Sequence, residues 1–230
     1  MTRWLSLIQP DTAWPVRVFG VPKRGAPAEL LGAIVAVGVT RPVVRFDDLL
    51  EGRAPAPVPP QVPAVWQLIA VTTASEVRGG GLGRRLAEFA VAALARESPR
   101  AMIQTLSPAS GLAALMAALA LTDAGHAASL VTGRLCDAAG RPWLAIQRFH
   151  QGNGASLDAI RPDSRADDRQ SAAVTLCFGY PNHVDARARG RDAYAARVHE
   201  AARRVASARA TPLPAVAGAF LVDEALETDR

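Results

Sequence analysis

The sequence predicts a mixed α/β (α+β) fold, because strand-like and helix-like segments alternate along its 230 residues. Runs rich in β-branched residues and bounded by Gly or Pro are typical of strands, as in "WPVRVFG", "LGAIVAVGVT", "VWQLIAVTT" and "RAMIQTLSP". After the last two runs, apolar residues recur three and four positions apart, which indicates helices. Half of the residues are hydrophobic, a composition typical of a globular protein.

The C-terminal half of the chain continues this alternation. Residues 110–135 are predicted to be helical with a break near Gly125, and "SLDAI" and "AAVTLCFGY" are predicted to form a closing pair of strands. An amphipathic helix is predicted from about Asp185 to Ala208. Its apolar face would consist of Tyr194, Val198, Ala201 and Val205. We expect a single domain over residues 1–210, followed by a C-terminal tail over residues 211–230.

Charge and cysteine content exclude several classes of function. The formal net charge is +5, but the arginines are scattered and aromatic residues make up only 5% of the chain, so no nucleic-acid surface is predicted. Cys136 and Cys177 are far apart and have no CxxC partner, which argues against a disulfide framework and a zinc site. No secretory signal or bilayer-spanning run is recognisable. We therefore expect a cytoplasmic protein that binds no metal, membrane or nucleic acid.

A glycine cluster, "RGGGLGRRL", lies between a predicted strand and a predicted helix. Glycines in such a cluster often adopt positive φ or let another molecule approach the backbone. The pattern is neither the dinucleotide fingerprint nor a P-loop. Backbone N–H groups in this turn and the positive end of the helix would favour an anion such as a pyrophosphate. A tight turn that only packs the helix on the strand is an equally good interpretation of these glycines alone.

Within this cluster, Arg78-x-x-Gly81-x-Gly83 resembles the R/Q-x-x-G-x-G/A signature of the GNAT acyltransferase superfamily. The resemblance implies that backbone N–H groups hold the pyrophosphate of coenzyme A and that the preceding strand faces its pantetheine arm. The residues expected to bind coenzyme A are Val71, Arg78, Gly79, Gly80, Gly81, Leu82, Gly83 and Arg84.

Two later motifs make the resemblance more specific. "QTLSPASGL" follows the next predicted strand, and "RFHQGNGA" precedes the closing pair. In this order, the three motifs resemble the catalytic domain of malonyl-CoA decarboxylase and the GNAT-like loading domains of polyketide synthases. The likeness covers roughly residues 65–182 and implies a mostly antiparallel sheet flanked by helices. The chain departs from the decarboxylase pattern at Ser110, where those enzymes usually have proline.

The resemblance also implies a set of catalytic residues. His150 would deliver a proton, Ser107 would pair with it, and Thr105 would lie on the same strand face as Ser107. "IRPDSRADD" resembles a segment of the loading domains and places an arginine at position 165 to bind a carboxylate. The predicted catalytic set is His150, Ser107, Thr105, Arg165 and Asn153. For Ser107 a helix cap and for Asn153 a turn are the alternative roles, and Tyr180 is interpreted as a core residue at a strand end.

Three functions are compatible with these motifs. The first is decarboxylation of a malonyl-type acyl-CoA, with acyl transfer to an acyl carrier protein as an extension. The second is N-acetyl transfer from acetyl-CoA to an amine, for which Glu76 is the nearby candidate base. The third is an acyl-CoA-binding module without catalysis. The first two reactions need a coenzyme A thioester as substrate and no metal.

Overall fold

Strands and helices alternate in a computed structural model that describes residues 14–51, 53–54, 62–164 and 168–222. The strands are β1 (Val16–Lys23), β2 (Ala26–Val39), β3 (Val65–Thr73), β4 (Met102–Pro108), β5 (Leu135–Asp137), β6 (Ser156–Arg161), β7 (Thr175–Tyr180), β8 (Ala210–Pro212) and β9 (Ala219–Val222). The helices are α1 (Phe46–Leu50), α2 (Leu82–Glu97), α3 (Leu112–Ala118), α4 (Ala124–Arg134), α5 (Ala145–Gly152) and α6 (Val184–Ala206).

The main sheet has six strands in the order β1-β2-β3-β4-β7-β6. Its neighbours are antiparallel except β3 and β4, so the predicted mostly antiparallel sheet flanked by helices is confirmed. Pairing between β3 and β4 runs from Val65 with Met102 to Leu68 with Thr105. Beyond this point the two strands no longer pair with each other, although β3 continues to Thr73 and β4 continues to Pro108. A gap therefore opens in the sheet between the ends of these two strands.

Each face of the sheet carries its own hydrophobic core. The larger core joins sheet residues such as Trp66 and Phe178 to apolar residues of α2, α3 and α4. The smaller core lies on the opposite face and includes Phe46 and Leu49 of α1. Because side chains alternate along a strand, Leu106 belongs to the smaller core. Its neighbours Thr105 and Ser107 must then lie on the face of the larger core.

The predicted helical region 110–135 divides into α3 and α4, but earlier than expected. The break falls after Ala118 rather than near Gly125, because Asp123 caps α4 by accepting a hydrogen bond from the His126 N–H at 2.6 Å. Gly125 lies inside the first turn of α4. A short polar side chain, and not the glycine, determines where α4 begins.

A second, three-stranded sheet has the order β5-β9-β8 and was not predicted from the sequence. Residues 211–222 of the predicted tail belong to it or to its turn, while 223–230 lie outside the described residues. Gly140 has a φ of +73°, and a Cβ there would lie 2.2 Å from the Val198 carbonyl oxygen. The turn after β5 can therefore approach the α6 backbone only with glycine at this position.

The helix predicted near residues 185–208 is α6, and its predicted apolar residues Tyr194, Val198, Ala201 and Val205 are each half-buried. Helix α6 packs against α5, β8 and β9. Across the described part of the chain, none of the helices has the length and hydrophobicity needed to cross a bilayer.

Candidate active site

The glycine cluster forms the turn between β3 and α2. Gly79 and Gly81 have φ values of +87° and +76°, in the left-handed region that favours glycine. Gly81 is the N-cap of α2 and provides no side-chain cap. The first backbone N–H groups of a helix have no intrahelical acceptor. The turn therefore presents backbone N–H groups at the positive end of a 16-residue helix.

A cavity of about 360 Å³ lies against this turn, and we call it the glycine-loop cavity. Seven of the eight residues predicted to bind coenzyme A line it: Val71, Arg78, Gly79, Gly81, Leu82, Gly83 and Arg84. Gly80 does not, and its N–H donates to the Val77 carbonyl oxygen at 3.2 Å. Ile146 and Phe149 of α5 form the opposite wall.

A second cavity of about 440 Å³ occupies the gap between the ends of β3 and β4, and we call it the strand-gap cavity. Thr105, Ser107 and His150 line its buried end. Val71 and Ile146 line both cavities, so the two are adjacent. The divergence of β3 from β4 thus connects the glycine turn to the predicted catalytic residues. The outer wall of the strand-gap cavity contains Ser110, Asp168 and Gln170.

His150 lies at the centre of a buried hydrogen-bonded chain. Its Nε2 is 3.0 Å from the Ser107 Oγ, and its Nδ1 is 2.8 Å from the Tyr180 hydroxyl oxygen. The Ser107 hydroxyl donates to the Thr105 Oγ1 at 3.2 Å. With the Ser107 hydrogen used in that bond, the His150 Nε2–H donates to Ser107 and the Tyr180 hydroxyl donates to Nδ1. The ring of His150 also stacks on Phe178, with a centroid separation of 4.7 Å.

Burial controls the charge of this chain. His150 is 1% exposed, and burial lowers its pKa to about 3, so the imidazole is neutral near pH 7. Burial also raises the pKa of the Tyr180 phenol well above its usual range, an effect that the neighbouring Asn153 side chain partly opposes. The chain through Ser107, His150 and Tyr180 is therefore uncharged before an anion enters the cavity.

The "FHQGNGA" motif builds the end of α5 that positions His150. The N–H groups of Asn153 and Ala155 both donate to the His150 carbonyl oxygen at 3.1 Å, which closes the turn directly after the helix. Gly154 has a φ of +84°, and a Cβ there would lie 2.3 Å from the Arg187 carbonyl oxygen. Glycine at this position allows α6 to pack against the turn and fix the orientation of α5.

The structure brings together most, but not all, of the predicted catalytic residues. Ser107, Thr105 and His150 share one cavity, and Asn153 is buried beside Tyr180. Arg165 lies outside the described residues. The predicted catalytic set does not include Tyr180, although period-two alternation places this residue on the same face of β7 as Phe178. The sequence could not indicate that α5 packs over that face.

The geometry also bears on the candidate base of the N-acetyltransferase alternative and on the predicted absence of a metal. Glu76 is exposed, lies 3.4 Å from the Lys23 ammonium group, and lines neither cavity. Among the described residues, no group of three or more His, Cys, Asp or Glu side chains could hold a metal ion.

Solved structures resemble this fold at low sequence identity. Malonyl-CoA decarboxylase from Agrobacterium vitis matches with a TM-score of 0.69 and 16% identity, over 86% of this chain and 59% of that one. The GphF GNAT-like decarboxylase, solved with isobutyryl-CoA, matches with a TM-score of 0.55 and 22% identity, over 71% of this chain and 77% of that one. The chain has a GNAT-like fold. The loading GNATL domain of CurA from Lyngbya majuscula also matches this GNAT-like fold, with a TM-score of 0.51 and 19% identity. The match covers 67% of this chain and 72% of that one.

The sequence itself gives no comparable match. No protein-family model matches the chain, and no curated protein matches it. The chain spans 53–62% of the length of three malonyl-CoA decarboxylases with the same GNAT-like fold.

Proposed function

We propose that this GNAT-like chain binds a malonyl-type acyl-CoA and decarboxylates it. The observation that carries the proposal is the Ser107–His150–Tyr180 hydrogen-bonded chain at the buried end of a cavity adjacent to the glycine turn. The turn offers backbone N–H groups suited to a pyrophosphate, and the hydrogen-bonded chain offers polar groups suited to a thioester.

In this proposal, the substrate extends through both cavities. The pyrophosphate accepts hydrogen bonds from N–H groups between Gly79 and Arg84, where the α2 dipole adds positive potential. The pantetheine arm follows the shared wall formed by Val71 and Ile146. The thioester then lies at Ser107 and His150, between the diverging ends of β3 and β4.

The reaction breaks one carbon–carbon bond and forms one carbon–hydrogen bond. Loss of CO₂ from the malonyl group leaves its bonding electron pair as a thioester enolate. The Thr105 hydroxyl, and the Ser107 hydroxyl once it turns away from Thr105, are the groups placed to donate to the developing oxyanion, a kind of interaction that usually contributes strongly to catalysis. Proton transfer to the enolate carbon then gives the shorter acyl-CoA.

His150 is the proposed source of that proton. Its imidazole is neutral in the free protein, because burial lowers its pKa to about 3. The substrate carboxylate brings a negative charge into the cavity, and a nearby negative charge raises the pKa of an imidazole. The imidazole thus takes up a proton from water at Nδ1 as substrate binds, and the Tyr180 hydroxyl turns to accept from it. When CO₂ leaves, Nε2 gives its proton to the enolate carbon, and His150 is neutral again with its remaining proton on Nδ1.

Arg165, Asn153 and Tyr180 have supporting roles in this proposal. Arg165 binds the substrate carboxylate, a role that rests on the sequence motif alone. Tyr180 holds the His150 ring through Nδ1, and Asn153 lies beside the Tyr180 hydroxyl. Acyl transfer to an acyl carrier protein after decarboxylation is an additional proposed step, with the phosphopantetheine thiol of the carrier as acceptor.

Mass spectrometry of the thioesters tests the reaction directly. The protein is incubated with malonyl-CoA, methylmalonyl-CoA and acetyl-CoA, with and without a phosphopantetheinylated carrier protein. Without the carrier, we expect acetyl-CoA or propionyl-CoA and CO₂ from the first two substrates and no change in acetyl-CoA; with the carrier, we expect the acyl group on its thiol. Intact malonyl-CoA and methylmalonyl-CoA after incubation with folded protein would contradict decarboxylation, and a carrier that stays unacylated would contradict the transfer step alone.

The N-acetyltransferase alternative gives a different outcome. It needs a base near the thioester, but Glu76 is exposed, faces Lys23 and lines neither cavity. Under that alternative, malonyl-CoA stays intact and Glu76→Gln abolishes acetyl transfer to an amine. A non-catalytic binder would leave all thioesters intact and would tolerate Ala at both Ser107 and His150.

A further inference from the structure

A third cavity, of about 760 Å³, lies between α6 and the elements α4, β5 and α5. We call it the α6 cavity. It shares no lining residue with the glycine-loop or strand-gap cavity. Its volume is within the range of small-molecule sites. The α6 cavity is therefore large enough for a ligand of its own.

A buried amide in its wall lacks one of its hydrogen bonds. Gln147 of α5 lines the α6 cavity and is only 3% exposed. Its Nε2 donates to the Thr132 carbonyl oxygen at 2.8 Å. Its Oε1 has no hydrogen-bond partner among the residues that the structure describes. A buried acceptor without a partner destabilises the fold, so a missing donor is expected at this oxygen.

The walls around this amide are mostly apolar. Leu135 is buried, and Tyr194, Val198 and Ala201 of α6 are half-buried. Apolar walls with a few convergent polar groups, here the Gln147 and Gln151 amides, are typical of sites for small organic molecules, in which the polar groups fix the orientation of the ligand. The body of the ligand is therefore expected to be aromatic or aliphatic.

Three arginines line the α6 cavity: Arg134, Arg197 and Arg204. Glu200 is the acidic residue of this lining and pairs with Arg204. Arg134 donates to the Val222 carbonyl oxygen at 3.3 Å. For Arg197, which is exposed, the described part of the chain provides no hydrogen bond or ion pair. The mouth is therefore suited to an anion.

We propose that the α6 cavity binds an amphipathic organic acid. Its apolar body lies against Leu135 and Val198, a hydroxyl or N–H group donates to the Gln147 Oε1, and its carboxylate meets Arg197 at the mouth. This binding is independent of the proposed decarboxylation, because the two sites share no residue.

Three matched probes test this ligand class by isothermal titration calorimetry with the full chain. The probe 4-hydroxyphenylacetate has all three features, phenylacetate lacks the hydroxyl, and 4-hydroxyphenylacetamide lacks the charge. We expect the first to bind and the other two to bind more weakly. Saturating coenzyme A should leave the affinity of the protein for 4-hydroxyphenylacetate unchanged. Absence of 4-hydroxyphenylacetate binding, or its displacement by coenzyme A, would overturn the proposal.

Variants locate the probe. Ala196→Trp should abolish binding, because Ala196 is an exposed α6 residue at the cavity wall and a large ring there blocks the mouth. Arg197→Gln should weaken 4-hydroxyphenylacetate binding by about threefold, as expected for a partly screened ion pair. Arg189→Gln is the control, since it removes an exposed arginine of the same helix outside the cavity. Equal affinities of Ala196→Trp and wild type would refute the site.

Discussion

The Nε2 of His150 lies 3.0 Å from the Ser107 Oγ, although 43 residues separate them in the chain. Ser107 is near the end of β4, where β3 has already diverged, and His150 is in the last turn of α5. The pair therefore exists only because α5 packs over the gap in the sheet. This arrangement gives a buried imidazole access to a cavity that adjoins the glycine turn.

Replacement of His150 should separate catalysis from binding. We expect His150→Ala to reduce the turnover of malonyl-CoA by at least ~100-fold, the lower range for loss of a general acid or base. Acyl-CoA affinity should change little, because the pyrophosphate is proposed to bind at the glycine turn. Ser107→Ala should cause a smaller loss, since Thr105 Oγ1 lies 3.2 Å from the Ser107 Oγ. Single-turnover assays and calorimetry measure the two effects.

Glu76→Gln is the matched control, because it removes a charge near the glycine turn but outside both cavities. It should retain wild-type turnover of malonyl-CoA. Full activity in His150→Ala would rule out its proposed role as proton donor.

The Tyr180 hydroxyl should act by positioning His150. Tyr180→Phe keeps the ring on β7 but leaves the buried His150 Nδ1 without its donor at 2.8 Å. Loss of such a partner costs about 1–3 kcal/mol, which corresponds to roughly a tenfold decrease in turnover if the imidazole loses its orientation. KM should stay near its wild-type value. A merely structural tyrosine would instead lower the melting temperature without changing kcat or the His150 resonances in NMR spectra.

The protonation of His150 should depend on the ligand. In the free protein we expect the imidazole to stay neutral until the pH approaches about 3, because burial disfavours its charged form. Succinyl-CoA, which carries a carboxylate but is not a malonyl-type thioester, should raise this pKa. Acetyl-CoA, without the carboxylate, should raise it much less. Histidine NMR titrations measure each pKa, and identical curves with the two thioesters would contradict the proposed proton uptake.

The same depressed pKa has a consequence for stability. Below the ordinary histidine pKa of 6.5, the unfolded chain binds a proton that the folded chain does not. The contribution of His150 to stability is therefore complete above pH 6.5 and decreases as the pH falls toward 3. Urea unfolding of His150→Phe should show a smaller loss of stability than wild type between pH 7 and pH 5. An equal loss would indicate that His150 is accessible to protons in the folded state.

Substitution of Gly81 should weaken acyl-CoA binding. Gly81 has a φ of +76° and a Cβ there meets nothing within 4 Å, so a side chain would project from the turn and strain its backbone. We expect Gly81→Val to raise the dissociation constant of acyl-CoA in calorimetry. Gly218→Val is the control, because Gly218 has a φ of +74° and equally open surroundings, in the turn between β8 and β9. Wild-type affinity in Gly81→Val would refute the glycine turn as the pyrophosphate site.

Local patterns were sufficient for much of the fold. The run "VWQLIAVTT" is β3 residue for residue, and the glycine cluster is the predicted turn between this strand and a helix. Thr105 and Ser107 lie on one face of β4, as predicted, because alternation in a strand is fixed by the backbone. The break between α3 and α4 was misplaced, since a capping Asp123 outweighed the weak helix-breaking effect of Gly125.

The sequence by itself thus determined the strands of the main sheet, the glycine turn and the candidate residues Ser107, Thr105 and His150, because each is marked by a local pattern of neighbouring residues. Only the tertiary structure decided that Tyr180 contacts His150 and that burial lowers the pKa of His150. It also decided that the glycine-loop and strand-gap cavities adjoin at Val71 and Ile146. The second sheet and the α6 cavity also arose only in the folded chain. The physical reason is that burial and hydrogen-bond partners depend on which faces pack together, and those faces come from residues far apart in the chain.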